Sequence, residues 1–543
     1  MLDKIISSKR STALLFIALG FVCYGWILNT PFKLMDDFAC IVDNPAIHTP
    51  ADWKHLFTDS FFGGDRAYYR PLVNVSFLLE YHFFKLHYLF YNLDNIFLHI
   101  GNVLLLLVIL ARLLKDRALA FWVSLLFLIH PAHWEQVTNI PGRSILLCAL
   151  FVLAALFLLL KSFDDDSRPL RMIVYYAGSL IAFAGGLLSK ESAGVFPLIA
   201  ASFMIFYVKA DVRRKTVLTL GYFAVLTMYL SVRGHLGITQ IGASQTPEAV
   251  GLAVMTFLKS LWIHAATLLL PANLVYDRSL ELFRDFRDIH LWVVAGSWLL
   301  VVGVLIGNRR RWHGPDFFWL SWILLNFLPV SQLVIIPVSA SWISIADHFL
   351  YLPSVGLFVF LVKGIRTLVQ NPPVAAVVSQ RLQKILLASW MMLLIVTTAI
   401  QTVIASSQTA MFETALENNP DNDRVRLSLG SAYGYAGWPV KAEEHFRRVL
   451  GHDPFNAKAR IGLGKALCDQ NRCLEAIDEY HKVVNPGEAD AQLLHDNLEK
   501  TYRYVIKDYE ARLKEHPDNA EFQDILEAVT EMRDSDGRSM RKR

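Results

Sequence analysis

The sequence is short of charge, short of cysteine, and short of polar stretches through its first four hundred residues. Asp, Glu, Lys and Arg make up 18% of 543 residues against 54% hydrophobic, and the mean hydropathy is +0.37, a balance that a chain folding in water would struggle to hide. Five cysteines are too few for a disulfide scaffold, and 21 prolines with 29 glycines too few for a collagen-like or low-complexity chain. A formal net charge of +4 is too slight to argue for nucleic acid, so no such partner is expected. What is present is hydrophobic length, and the expected fold class is all-α, a polytopic membrane bundle followed by a smaller helical domain.

A hydrocarbon core about 30 Å thick takes roughly 17 to 25 apolar residues per helix. Runs of that kind are centred near residues 20, 102, 127, 152, 180, 201, 224, 299, 327, 356 and 395, which predicts about eleven crossings. The first follows Lys4, Lys9 and Arg10, has no small-residue cleavage site behind it, and reads as an uncleaved anchor. Lys and Arg are retained on the cytoplasmic side; Arg112, Lys115, Arg117, Arg213 to Lys215 and Arg309 to Arg311 then agree with an inside N-terminus and an outside C-terminus. Val250 to Leu270 is also long enough to span, but a crossing there would carry Arg309 to Arg311 outside, and it holds Lys259. It is read as a re-entrant or interfacial helix, with a true crossing as the alternative.

The unusual polar groups all fall on the outer side. A structured loop over residues 29–86 carries Asp36, Asp37 and Arg70; later segments bring His133 and Glu135, then Arg143, Lys190 and Glu191, Asn273, Tyr276 and Asp277, and finally Asp347 and His348. A charge at membrane depth costs about 2.5 to 3.5 kcal/mol on insertion scales, so such groups tend to face a hydrated cavity and carry function. Two adjacent carboxylates suit general-base work on a hydroxyl; alone they more often mark a solvated loop with a helix cap. Arg70, Arg143 and Lys190 are the cations that would stabilise a departing phosphate. Asp37, His133 and Glu135 have the hardness of an Mg²⁺ or Mn²⁺ site, but a His at a helix end is more often a hydrogen-bonded interfacial residue. No metal is assigned and no cofactor is committed.

After residue 405 the chain turns polar and acquires a period. Pro420 to Pro454 is 34 residues, the tetratricopeptide spacing, with Leu429, Gly430, Tyr433, Ala442 and Phe446 at the packing positions and Leu463, Gly464, Leu467, Ala476 and Tyr480 in the next unit. Residues 406–533 are expected to form this repeat domain, on the outer side, binding a protein or peptide; 534–543 are expected as a disordered tail. Cys468 and Cys473 flank a helical turn there, where an oxidising compartment could join them. Cys23 and Cys148 read as packing residues.

Several short motifs together resemble a known family. Met35-Asp36-Asp37 is followed by Asn44-Pro45, Tyr69-Arg70-Pro71-Leu72, His130-Pro131-Ala132-His133-Trp134-Glu135-Gln136-Val137 with Gly142-Arg143, Ser189-Lys190-Glu191, Phe327-Leu328-Pro329-Val330-Ser331 and Tyr351-Leu352-Pro353-Ser354. In this order the chain resembles the C-type, multi-spanning glycosyltransferases (GT-C), and most closely the transmembrane and tetratricopeptide-repeat-containing protein O-mannosyltransferases and their bacterial relatives. The resemblance implies a catalytic domain over residues 1–405 that moves a sugar, mannose or another hexose, from a polyprenyl-phosphate donor to a Ser or Thr hydroxyl on the lumenal or periplasmic face. It implies that Asp36 and Asp37 are catalytic. Arg143, Lys190 and Arg70 are assigned to the donor phosphate, and His133, Glu135, Glu191, Asp347 and His348 to support. One departure stands out: where the relatives carry Ala-Glu-Arg, this chain has Ala346-Asp347-His348. A bacterial inner membrane with the repeats in the periplasm is favoured over the endoplasmic reticulum. Transfer onto a lipid or glycan, and a non-catalytic scaffold, are the alternative readings.

Overall fold

Ser8 opens the first helix by accepting the Ser11 N–H at 3.3 Å, and an apolar run carries α1 over Lys9–Tyr24. In this computed structural model the described residues are 6, 8–34, 36–49, 53–61, 68–164, 169–238, 247–276, 278, 280–281, 283–331, 342–343, 345–370 and 379–540. The first of two units, Met1–Ser407, continues with α2 (Pro71–Phe84), α3 (Tyr88–Leu113), α4 (Arg117–Ile129), a short α5 (Trp134–Thr138), α6 (Arg143–Ser162), α7 (Pro169–Leu187), α8 (Phe196–Tyr207) and α9 (Val212–His235). It ends with α10 (Pro247–Leu269), α11 (Ile289–Gly307), α12 (Gly314–Phe327), α13 (Pro353–Gln370) and α14 (Gln380–Ala405). Among the described residues one two-residue antiparallel pairing, β1 (Leu280–Glu281) with β2 (Trp342–Ile343), interrupts the helical pattern.

Among the described residues, nine helices are long and apolar enough to cross a membrane, against the eleven crossings expected. Three of the expected spans are shorter: α4 has 13 residues, α8 has 12 and α12 has 14, or about 20 Å at 1.5 Å per residue. Proline supplies a reason for α4, since His130 is extended ahead of Pro131, the backbone that a following proline favours. Conversely α10, read as re-entrant, has the length and hydropathy of a crossing. Its Lys259 ammonium lies 5.2 Å from the Phe283 ring centroid, a cation–π contact.

The centre of this unit is α3, α4 and α6, and α3 carries a polar stripe through it. Asn92, Asn95, His99 and Asn102 are all buried and recur every three or four residues, hence on one helix face. Asn92 donates to the Thr30 carbonyl at 3.0 Å, Asn95 to Asn139 at 2.9 Å and Asn102 to Leu146 at 3.0 Å, while His99 Nδ1 meets the Tyr351 hydroxyl at 2.8 Å. Backbone carbonyls from three other segments and a tyrosine hydroxyl from a fourth are thereby satisfied by one helix, as buried polar groups require.

The second unit, Gln408–Arg543, is a run of helices: α15 (Gln408–Asn418), α16 (Asp423–Tyr435), α17 (Pro439–His452), α18 (Ala457–Cys468), α19 (Cys473–His481), α20 (Glu488–Glu515) and α21 (Ala520–Met540). The expected packing residues Leu429, Tyr433, Ala442, Phe446, Leu463, Leu467, Ala476 and Tyr480 are all buried. Small residues let the helices close: a Cβ on Gly462 would sit 2.5 Å from the Phe446 ring, and one on Gly430 would sit 2.9 Å from the same ring. A disulfide joins Cys468 to Cys473 across the α18–α19 turn, and Cys23, Cys40 and Cys148 are free and buried. The expected disordered tail is corrected in part: α21 runs through Asp534 to Met540, where Asp536 accepts from the Tyr502 hydroxyl at 2.7 Å. Because the Phe446 ring is pinned between two glycines, Gly462→Ala is expected to destabilise this unit by about 1 to 3 kcal/mol through overpacking, measured as a lowered unfolding midpoint of the full chain.

Candidate active site

The site begins where the chain leaves α1. Asp36 and Asp37 lead into a wide, π-type helical turn, Phe38–Val42, and the two carboxylates differ in surroundings. Asp37 is 1% exposed and its Oδ2 accepts the Lys33 backbone N–H at 2.8 Å; the Lys33 ammonium donates to the Thr138 carbonyl at 2.8 Å. Burial pushes the Asp37 carboxyl up to about 6, against the pull of Lys33. Asp36 instead lines a cavity of about 110 Å³ together with Arg70, Glu135, Lys190, Tyr276 and His348. Six residues singled out in the sequence, from five separate segments, therefore share one small polar chamber.

Each wall has a local cause. Arg70 stands immediately before α2, whose first position is Pro71, and its guanidinium grips Glu191 with two bonds, Nη2 to Oε1 at 2.8 Å and Nε to Oε2 at 3.2 Å. The Tyr68 ring centroid lies 4.5 Å from the same guanidinium. Lys190 precedes the 3₁₀ turn Glu191–Val195, and burial together with the Arg70 charge brings its ammonium down to about 8. Glu135 sits in α5; its Oε1 meets His348 Nδ1 at 2.7 Å and its Oε2 accepts the His348 N–H at 3.2 Å.

Other expected site residues lie elsewhere. Arg143 is a correction: it is 0% exposed and does not line the chamber. Its Nε donates to Asn95 at 2.6 Å, its Nη atoms to both Glu80 oxygens at 2.9 and 3.1 Å and to the Tyr91 carbonyl at 2.9 Å, and it pairs with Asp94 at 2.9 Å. A guanidinium has five N–H donors, and these partners occupy them. His133 is likewise engaged, Nδ1 with the Phe127 carbonyl at 2.8 Å and Nε2 with Ser354 at 3.1 Å, so it is not available as a metal ligand; among the described residues no group of three or more His, Cys, Asp or Glu is placed to hold a metal ion. Asp347 is 0% exposed, pairs with Arg278 at 3.2 Å, and is raised to about 7 by burial against that cation. Asp277 lies outside the described residues.

Sequence reading missed Lys33, Arg278 and the Glu80–Asp94 pair around Arg143. Lys33 carried a signal, standing four residues before Asp37; Arg278 stands beside the polar group at Asn273 to Asp277 and was passed over. Beside the chamber lies a larger, mostly apolar groove of about 520 Å³ between α8, α9 and the segment after α12, lined by residues such as Leu198, Phe223, Leu226 and Leu230, with Glu191 and Arg233 as its charged members. Arg70 faces the chamber and Glu191 faces the groove, so their ion pair is a shared wall.

No family model matches the sequence. Named relatives do: the chain is 26% identical over 557 residues to mouse Protein O-mannosyl-transferase TMTC3, covering 92% of this chain and 58% of that protein. It is 24% identical to human Protein O-mannosyl-transferase TMTC4 over 85% of this chain and 64% of that protein, and 34% identical to mouse Protein O-mannosyl-transferase TMTC1 over a shorter stretch, 25% of this chain and 15% of that protein. The chain spans about three-fifths of the length of the curated relatives it matches most broadly. Among solved structures, the archaeal oligosaccharyltransferase AglB from Archaeoglobus fulgidus superimposes loosely, with a TM-score of 0.38 and 13% identity over 78% of this chain and 59% of that one.

Since, among the described residues, Arg143 is the one cation paired with the buried Glu80, Arg143→Gln is expected to cost about 3 to 5 kcal/mol of stability, seen as loss of folded, monodisperse protein in detergent and not as a selective change in substrate affinity. Along nearly all of its length, then, the chain is similar in sequence to the protein O-mannosyl-transferases, the family its short motifs resembled.

Proposed function

We propose that the protein is a membrane glycosyltransferase that moves a sugar from a polyprenyl-phosphate carrier to a Ser or Thr hydroxyl of a protein. The observation that carries this reading is the pairing of two cavities across one ion pair. Asp36, Lys190 and Arg70 line the polar one, and a groove of mostly apolar side chains takes Glu191 on its other side. A polyprenyl phosphate has the same two halves, and concave apolar sites with a few placed charges are where such ligands bind.

The chemistry is a single inverting displacement. Asp36 takes the proton of the acceptor hydroxyl as its oxygen forms a bond to the anomeric carbon; the bond from that carbon to the phosphate oxygen breaks, and its electron pair leaves on the phosphate, whose negative charge rises by one. The transition state is oxocarbenium-like. Lys190 and Arg70 stabilise the developing anion, so no acid is needed to protonate it. Asp37, buried and holding the Lys33 N–H, positions the turn that presents Asp36. Glu191 orients Arg70, and Asp347 with Arg278 fixes the turn that carries His348.

The relatives' names support a mannosyl donor and a protein acceptor, with the repeat unit as the acceptor-binding part. The Cys468–Cys473 disulfide supports an oxidising side for that unit, periplasm or lumen; a bacterial inner membrane is the location we favour. Asp36→Asn is expected to lower transfer of labelled sugar from a polyprenyl-phosphate donor to protein by about 10²- to 10⁴-fold while donor binding persists. Unchanged transfer by that variant, or label found only in solvent-extractable lipid, would contradict the assignment.

A further inference from the structure

The repeat unit carries an exposed apolar tip. The turn between α16 and α17 reads Tyr435-Ala436-Gly437-Trp438-Pro439-Val440, a stretch without a charge. Trp438 is 54% exposed and Val440 67%, and Tyr435, Ala436 and Gly437 are exposed as well. Gly437 takes φ +78°, a conformation open to glycine, and the Trp438 N–H donates to the Tyr433 carbonyl at 2.9 Å. The tip is therefore a closed turn of defined shape. Lys441 follows it, with its ammonium 4.3 Å from the Trp438 ring centroid and 4.9 Å from that of Tyr433. Leu474, early in α19, is also exposed.

Chain order decides what lies at that end of the stack. Residues 419–422, 436–438, 453–456 and 469–472 join α15 through α19, and connections this short make neighbouring helices antiparallel. The start of α15, the α16–α17 turn and the α18–α19 turn therefore share one end. α16 has 13 residues against 11 in α15, so it returns the full length of α15 and ~3 Å further at 1.5 Å per residue. α15 starts at Gln408, and α14, long and apolar enough to cross a membrane, stops at Ala405; Ser406 and Ser407 alone lie between. From this continuity we infer that the 435–440 tip is an interfacial anchor whose partner is the lipid headgroup layer of the bilayer that α14 enters. Trp and Tyr are the side chains enriched at that depth, and a lysine beside them keeps its ammonium among the headgroups. The repeat unit is thereby held to the bilayer surface at two places, the end of α14 and this tip. Phe455, at the opposite end, is the contrast. It is 73% exposed but sits in a polar turn, where the Asp453 carboxylate accepts its N–H at 3.2 Å and the Asn456 amide at 3.2 Å.

The full chain in liposomes, with no other protein present, tests this. A fluorophore is placed on Val440→Cys or on Phe455→Cys; both positions are exposed, while the native free cysteines are buried and inert to labelling. Lipids brominated on the acyl chains close to the headgroups quench by contact, so quenching reports lipid and not protein. The label at 440 is expected to lose about half its emission, given that interfacial side chains reach ~5–10 Å into the headgroup boundary. The label at 455 is expected to keep its emission. Trp438→Ser in the 440-labelled chain is expected to relieve the quenching, which separates anchoring by the protein from insertion of the dye. A 440 label quenched no more than the 455 label overturns the inference. So does a 440 label that is blue-shifted but unquenched, since its cover is then protein. Full quenching that survives Trp438→Ser overturns the anchor as well.

Discussion

The bidentate pair between Arg70 and Glu191 is the contact on which the site depends. It ties the end of the opening loop to the turn after α7, from 121 residues away in sequence, and divides space on either side: polar chamber on one face, apolar groove on the other. Removing either partner would leave a buried charge uncompensated, which costs about 3 to 5 kcal/mol. The planar fork of arginine matches a carboxylate in two bonds, and a lysine would not hold that geometry. Loop and bundle are thus joined by an interaction that also forms the wall between chamber and groove.

The same constraint explains the pattern of charge across the membrane unit. Ions at this depth persist when paired and hydrogen-bonded, and the pairs divide by what they face. Arg143 is closed off with Glu80, takes the half-exposed Asp94 as a second carboxylate, and holds α2, α3 and α6 together; Lys33 and Asp37 are buried. Asp36, Lys190 and His348 face the space between. Burial decides which of two chemically similar residues does scaffolding and which faces the chamber, as Asp36 and Asp37 illustrate side by side.

Much of this was legible in the sequence. Hydropathy gave the helical membrane unit, the 34-residue spacing gave the packing residues of the second unit, and the motifs gave Asp36, Arg70, Glu135 and Lys190 of the chamber's lining. Two kinds of information were missing. Helix ends within apolar runs depend on local breaks such as His130-Pro131, so α4, α8 and α12 read as longer than they are. Side-chain direction was hidden as well: Arg143 has the residue type of a phosphate ligand, and only the convergence of Glu80, Asp94 and Asn95 from α2 and α3 shows it turned inward. The polar stripe of α3 was overlooked because four uncharged polar residues barely lower the hydropathy of a 26-residue helix.

A structure of the full chain with a polyprenyl-phosphate lipid bound tests the central claim most directly. The account predicts the phosphate within hydrogen-bonding distance of the Lys190 ammonium in the chamber that Asp36 lines, with the prenyl tail running past the Arg70–Glu191 pair along Leu198, Phe223 and Leu230. A phosphate held elsewhere, with the chamber open only to solvent and the groove empty of lipid, would contradict it.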